Sequence, residues 1–119
     1  MVNALEAPSV LHENATPVEV VKQGLERRII RTRDLMTVVI DFTGGPWAVA
    51  DPLHSHPHEQ TTYLASGEIL FLAAGQAPVR LMAGDLFGVP SGVPHSIQLL
   101  SASARLVDTF HPIREDFLG

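Results

Sequence analysis

A chain of 119 residues has room for one core and one domain, and 45% hydrophobic, 18% charged and 6% aromatic residues make it an ordinary globular composition rather than a disordered or fibrous one. The formal net charge of -5, with lysines and arginines nowhere gathered into a dense patch, would repel a phosphate backbone and argues against nucleic acid as a partner. Cysteine is absent, which excludes a disulfide framework, a thiolate metal site and a cysteine nucleophile, so any metal must sit on nitrogen and oxygen.

Residues 1–17 mix Ala, Pro, Asn and Glu without periodicity and read as an N-terminal arm, whose ordering would need a partner surface. The arm lacks the basic region and apolar core of a secretory signal, and no apolar run approaches the roughly 18 residues of a membrane span. The expected location is the cytoplasm, with no membrane partner. From residue 18 to residue 119 short apolar runs alternate with turn residues: Val18 to Val21, Arg28 to Arg33, Met36 to Phe42, Thr61 to Leu64, Glu68 to Ala73, Val79 to Met82, Leu86 to Val89, Ser96 to Leu100 and Arg105 to Phe110. The separators Gly44-Gly45-Pro46, Ser66-Gly67, Ala74-Gly75-Gln76, Ala83-Gly84-Asp85 and Pro90-Ser91-Gly92-Val93-Pro94 supply positive φ or a fixed proline φ, as tight turns require. No interval is long enough for a stable amphipathic helix, so the pattern predicts an all-β sandwich, jelly roll or barrel.

Two segments carry chemistry. The first is His54-Ser55-His56-Pro57-His58-Glu59-Gln60, where His54 and His56 share one face of an extended strand and can reach one metal. Pro57 bends the chain and interrupts the alternation, so His58 and Gln60 both remain candidates for a further coordination position. About 35 residues beyond Gln60, the run Gly84 to Pro94 delivers His95 at the start of a strand through a rigid proline-glycine turn. Such ligands suit zinc, nickel, iron or manganese, and copper as well. Asp108 shares parity with Leu106 and Phe110, which aims a carboxylate at the interior; burial raises its pKa towards the range of a general acid or base, and an arginine partner pulls it back down.

His54-x-His56, three residues, Gln60, six residues and Gly67 resemble the first cupin motif, and Gly84, five residues, Pro90-x-Gly92, two residues and His95 resemble the second. The resemblance implies a double-stranded β-helix, the cupin jelly-roll barrel, with one divalent transition metal ion on His54, His56, Gln60 and His95. It selects Gln60 over His58. Two positions depart from the family habit: Gln60 stands where glutamate is frequent, and Leu99 where the second motif often ends in asparagine. A wholly neutral ligand set leaves the ion's double charge uncompensated, which favours Lewis-acid chemistry on an anionic substrate and disfavours a trivalent state.

Together with Leu35-Met36 and the His-Pro-His-Glu-Gln run, residues 106–118 narrow the likeness to the pectin-degradation cupins that act on 4,5-unsaturated monouronates, a resemblance covering about residues 28 to 118. It implies pocket roles for Asp108 and Arg114 and a metal-dependent lyase- or isomerase-type opening of a small anionic carbohydrate ring to a linear keto acid. Two alternatives stand beside it: a metal-dependent dioxygenase of a small organic substrate, and a non-catalytic cupin that binds and senses a small ligand. Asp108 with Arg114 also fits a structural ion pair closing the barrel end, and Tyr63 and Trp47 fit either sugar stacking or core filling. His12 and His111 are assigned no role, and Glu59 is expected to face outward. The edges of such a barrel need covering, so the arm is expected to pair across a homodimer.

Overall fold

The computed structural model describes residues 5–118. Met1 to Ala4 of the expected arm, and Gly119, lie outside the described residues. Among the described residues nine strands follow one another: β1 (Glu19–Lys22), β2 (Leu25–Arg31), β3 (Met36–Phe42), β4 (Glu59–Ser66), β5 (Glu68–Ala73), β6 (Val79–Met82), β7 (Leu86–Val89), β8 (His95–Leu99) and β9 (Ala104–His111). A single 3-10 turn, Glu115–Phe117, ends them. All pairings are antiparallel.

The strands make two sheets, a six-stranded one ordered β1-β2-β3-β9-β4-β7 and a three-stranded one ordered β6-β5-β8. This is the expected jelly roll. Period-2 alternation decides which side chains enter it. Met36, Val38 and Phe42 of β3, Gln60, Thr62 and Leu64 of β4, and Leu106, Asp108 and Phe110 of β9 are buried, whereas Glu59, Thr61 and Tyr63 between them are exposed. β9 is central to the larger sheet, and its pairing puts Asp108 opposite Val38 on one side and opposite Thr62 on the other.

Two apolar clusters fill the interior. The larger gathers Phe42, Leu64, Ile69, Phe71, Leu81, Val89, Leu99 and Leu106 between the sheets; Trp47 packs against it with its ring edge-on to Phe42 at 5.5 Å, so Trp47 serves the core. The smaller joins Met36, Val38 and Phe110, with Phe117 of the 3-10 turn packed on it.

Five strands, β1, β2, β4, β8 and β9, begin or end at other residues than the sequence reading gives, the second and the fourth by the most. The second strand is expected at Arg28 to Arg33 but runs Leu25–Arg31, because Gly24, at φ +82°, closes a tight hairpin from β1 that a lone glycine does not announce. The fourth begins at Glu59 rather than Thr61, so Gln60 already lies on a regular strand, paired with Phe110 and Val89. Residues 5–18 form no strand. They cross the outer face of the larger sheet, where Glu13 takes a 2.7 Å ion pair from Arg105 and the Thr16 carbonyl accepts from Arg28 Nε at 3.3 Å.

Candidate metal centre and pocket

Backbone hydrogen bonds bring the two histidine segments together. His54 N donates to His95 O at 3.0 Å and His95 N to His54 O at 2.9 Å, while Gly92 N donates to His56 O at 2.9 Å. The left-handed φ of +78° at Gly92 turns the chain so that its amide can reach. The His54 and His95 rings stand 4.5 Å apart and the His56 and His95 rings 5.0 Å apart, centre to centre. One ring nitrogen from each of His54, His56 and His95 lies within 4.8 Å of the other two, a group able to hold a metal ion. His54 is exposed and the other two are buried.

The donor set fits a cation. The ring Nδ1 of His95 lies 2.9 Å from the Val93 carbonyl and that of His56 lies 3.0 Å from the His58 carbonyl. A nitrogen at that distance from a carbonyl carries the proton, so each Nε2 is left with its lone pair free, the tautomer a metal needs. Burial, the largest effect on both rings, holds them below the ordinary histidine range and keeps them neutral; the nearby Arg114 charge adds to it.

Gln60 extends the cluster: its Oε1 lies 3.0 Å from His56 Nε2. His58 contributes its backbone carbonyl to His56 while its own ring stands 5.6 Å from that of His56, and it is absent from the histidine group. Beyond Gln60 a chain of bonds continues, with Gln60 Nε2 donating to Thr62 Oγ1 at 3.0 Å and Thr62 Oγ1 donating to Asp108 Oδ1 at 2.6 Å.

The histidines open on a cavity of about 160 Å³ whose wall includes His54, Gln60, His95, Asp108, Phe110 and Arg114. Burial pushes the Asp108 carboxyl up to about 6, against the Thr62 hydrogen bond and the Arg114 charge, which both lower it. The structure therefore brings Asp108 and Arg114 to one cavity without pairing them. Arg114 instead donates to Asp116 Oδ2 at 2.7 Å, and its guanidinium lies over Phe117 at 4.2 Å and over Phe110 at 5.2 Å. Those contacts hold a positive charge at the rim with donors to spare.

Tyr63 lies on the exposed side of β4, and Glu59 faces outward as expected. His111 is exposed. Sequence reasoning passes over Thr62, Phe117 and Ser96, whose buried hydroxyl has no hydrogen-bond partner among the described residues. Of these only Thr62 carries a signal, its shared parity with Gln60, and its meaning depends on which strand pairs beside it.

The family model of the cupin domain matches residues 43–110, which span both histidine segments and the strands between them. The chain is a cupin. Over 108 residues it is 34% identical to the pectin degradation protein KdgF of Dickeya dadantii (strain 3937), covering 89% of this chain and 94% of that one. Among solved structures, this cupin is similar to an RmlC-like cupin from Shewanella frigidimarina NCIMB 400, with a TM-score of 0.81, 34% identity and coverage of 93% and 96% of the two chains. It is equally similar in shape to KdgF from Halomonas sp., with a TM-score of 0.81, 29% identity and coverage of 92% and 99%.

Proposed function

We propose that this cupin is a metal-dependent enzyme that opens the ring of a 4,5-unsaturated monouronate to a linear keto acid, with one divalent ion held by His54, His56, Gln60 and His95. The observation that carries the reading is the placement of a buried carboxyl, Asp108, and a guanidinium, Arg114, in the wall of the same small cavity as His54 and His95, two of the three clustered imidazoles. Similarity to pectin degradation proteins along nearly the whole chain supports the substrate class. The cavity, about 160 Å³, is smaller than the several hundred Å³ of typical ligand sites and suits a single sugar ring rather than an oligosaccharide.

The chemistry is an isomerisation in which nothing is lost from the substrate. The hydroxyl proton of the cyclic hemiacetal is removed, the bond between the anomeric carbon and the ring oxygen breaks to leave an aldehyde and an enolate, and protonation of the enolate at carbon gives the ketone. Asp108, in the cavity wall, takes the first proton and returns one, a role that its raised pKa supports near neutral pH. Arg114 binds the substrate carboxylate and fixes the ring over the cavity floor. The ion, when bound, supplies Lewis-acid stabilisation of the developing enolate oxygen, which a wholly neutral ligand set leaves at full strength.

The test follows the absorbance of the conjugated enol ether in purified protein with and without chelator. Metal-dependent loss of that absorbance is expected, abolished in Asp108→Asn while the ion stays bound. Unchanged absorbance with a fully metal-loaded protein would refute the assignment.

A further inference from the structure

The hydrogen bonds around Gln60 run in one direction. Its Nε2 lies 3.0 Å from Thr62 Oγ1, Thr62 Oγ1 lies 2.6 Å from Asp108 Oδ1, and its Oε1 lies 3.0 Å from His56 Nε2. A threonine hydroxyl has one proton to give and lone pairs with which to accept. An ionised Asp108 only accepts, so the proton of Thr62 goes there. Whatever meets Thr62 from the other side must then donate, and of the two amide atoms of Gln60 only the nitrogen can.

The opposite end of the amide is thereby fixed as well. Oε1 faces His56 Nε2, which holds a lone pair because Nδ1 of the same ring is committed to the His58 carbonyl at 3.0 Å. Two electron-rich atoms 3.0 Å apart repel unless a cation lies beside both.

We propose that Thr62 is a positioning residue of the metal centre: its single hydroxyl proton, committed to Asp108, orients the Gln60 amide so that Oε1 is presented to the ion. The proposal rests on the reading of His54, His56, Gln60 and His95 as ligands and extends it to a side chain that touches neither ion nor substrate. It also gives a reason for glutamine at a position where cupins frequently carry glutamate. A carboxylate at position 60 would compete for the hydroxyl proton that Thr62 already donates to Asp108, setting two carboxylates around one donor. The arrangement is built by sheet register, since Thr62 lies directly opposite Asp108 and Gln60 is the preceding inward position of the same strand. Thr62 itself is 1% exposed.

The experiment strips the protein with chelator and titrates it with Co²⁺ at pH 7.5, reading the dissociation constant and the visible ligand-field spectrum. Thr62→Val is expected to weaken Co²⁺ binding by about 10- to 100-fold and to alter the spectrum, the effect usual for partners that orient metal ligands. Thr62→Ser, which restores the hydroxyl, is expected to keep the wild-type affinity and spectrum. Thr62→Ala repeats the test should the valine variant not fold. Wild-type affinity and spectrum in the hydroxyl-free variants, with Gln60→Ala weakened, would overturn the role of Thr62 while leaving the ligand set intact. Equal losses in Thr62→Ser and Thr62→Val would overturn it too, because the hydroxyl would not be the operative group. Undiminished Co²⁺ binding in Gln60→Ala would overturn the ligand reading and this proposal with it. Uronate turnover enters none of these outcomes, so the choice of substrate stands or falls separately.

Discussion

Asp108 costs the fold something. Its carboxyl titrates near 6 in the folded chain against 3.8 as an ordinary aspartate, because burial penalises the charge more than Thr62 and Arg114 relieve it. Between those values the folded state binds more protons than the unfolded one, so stability falls as pH rises through that window and the cost is complete above it. The displacement amounts to about 3 kcal/mol at the upper limit. In metal-free protein at pH 7.5, Asp108→Asn is therefore expected to raise the urea-denaturation free energy by up to about 3 kcal/mol, and to narrow the gap at pH 4, while in metal-loaded protein it abolishes turnover. The carboxamide oxygen introduced by Asp108→Asn would still accept from Thr62, which is why the ion should stay. In the proposed reaction Arg114 acts on binding. Its replacement by lysine keeps the charge but loses the planar donors and the stacking on Phe117, and is expected to raise KM for the uronate about tenfold with a smaller effect on kcat, read from steady-state kinetics.

The strands show what a sequence of this kind discloses. β3, β5, β6 and β7 run over the residues that alternation and turn chemistry mark out, with Gly44, Gly67, Gly75, Gly84 and Pro90 at or near their ends. β2 escapes because its hairpin turn depends on one glycine. The convergence of His54, His56 and His95 is legible because both segments carry motif spacing, and the inward aim of Asp108 because parity needs no partner. Thr62 is not legible, since its role exists only once β4 lies beside β9. Nor is the pairing of Arg114 with Asp116, two residues on, set by a turn outside any periodic element. Connections are as constrained as strands: at Gly67, φ is +85° and an added Cβ would stand 2.4 Å from the Ser103 carbonyl. Gly67→Ala combines a left-handed penalty of about 1–2 kcal/mol with that backbone clash, so a loss exceeding about 2 kcal/mol is expected in chemical denaturation.

At the scale of the whole molecule, an ion that binds only the folded chain adds stability by mass action, about 2.7 kcal/mol when free metal exceeds the dissociation constant a hundredfold. Chelator is therefore expected to lower the thermal midpoint of the wild type in calorimetry, and to leave that of a His54→Ala, His95→Ala double variant unchanged. The backbone bonds that join His54 to His95 and His56 to Gly92 set the geometry of this linkage. They are amide-to-carbonyl contacts and involve no imidazole. The three rings are thus mounted on a frame that closes before any cation arrives, and little reorganisation is needed when one does. A receptacle so prepared would take several divalent ions in the order of preference that aqueous ligand chemistry dictates, which would leave the choice of occupant in a living cell to supply more than to shape.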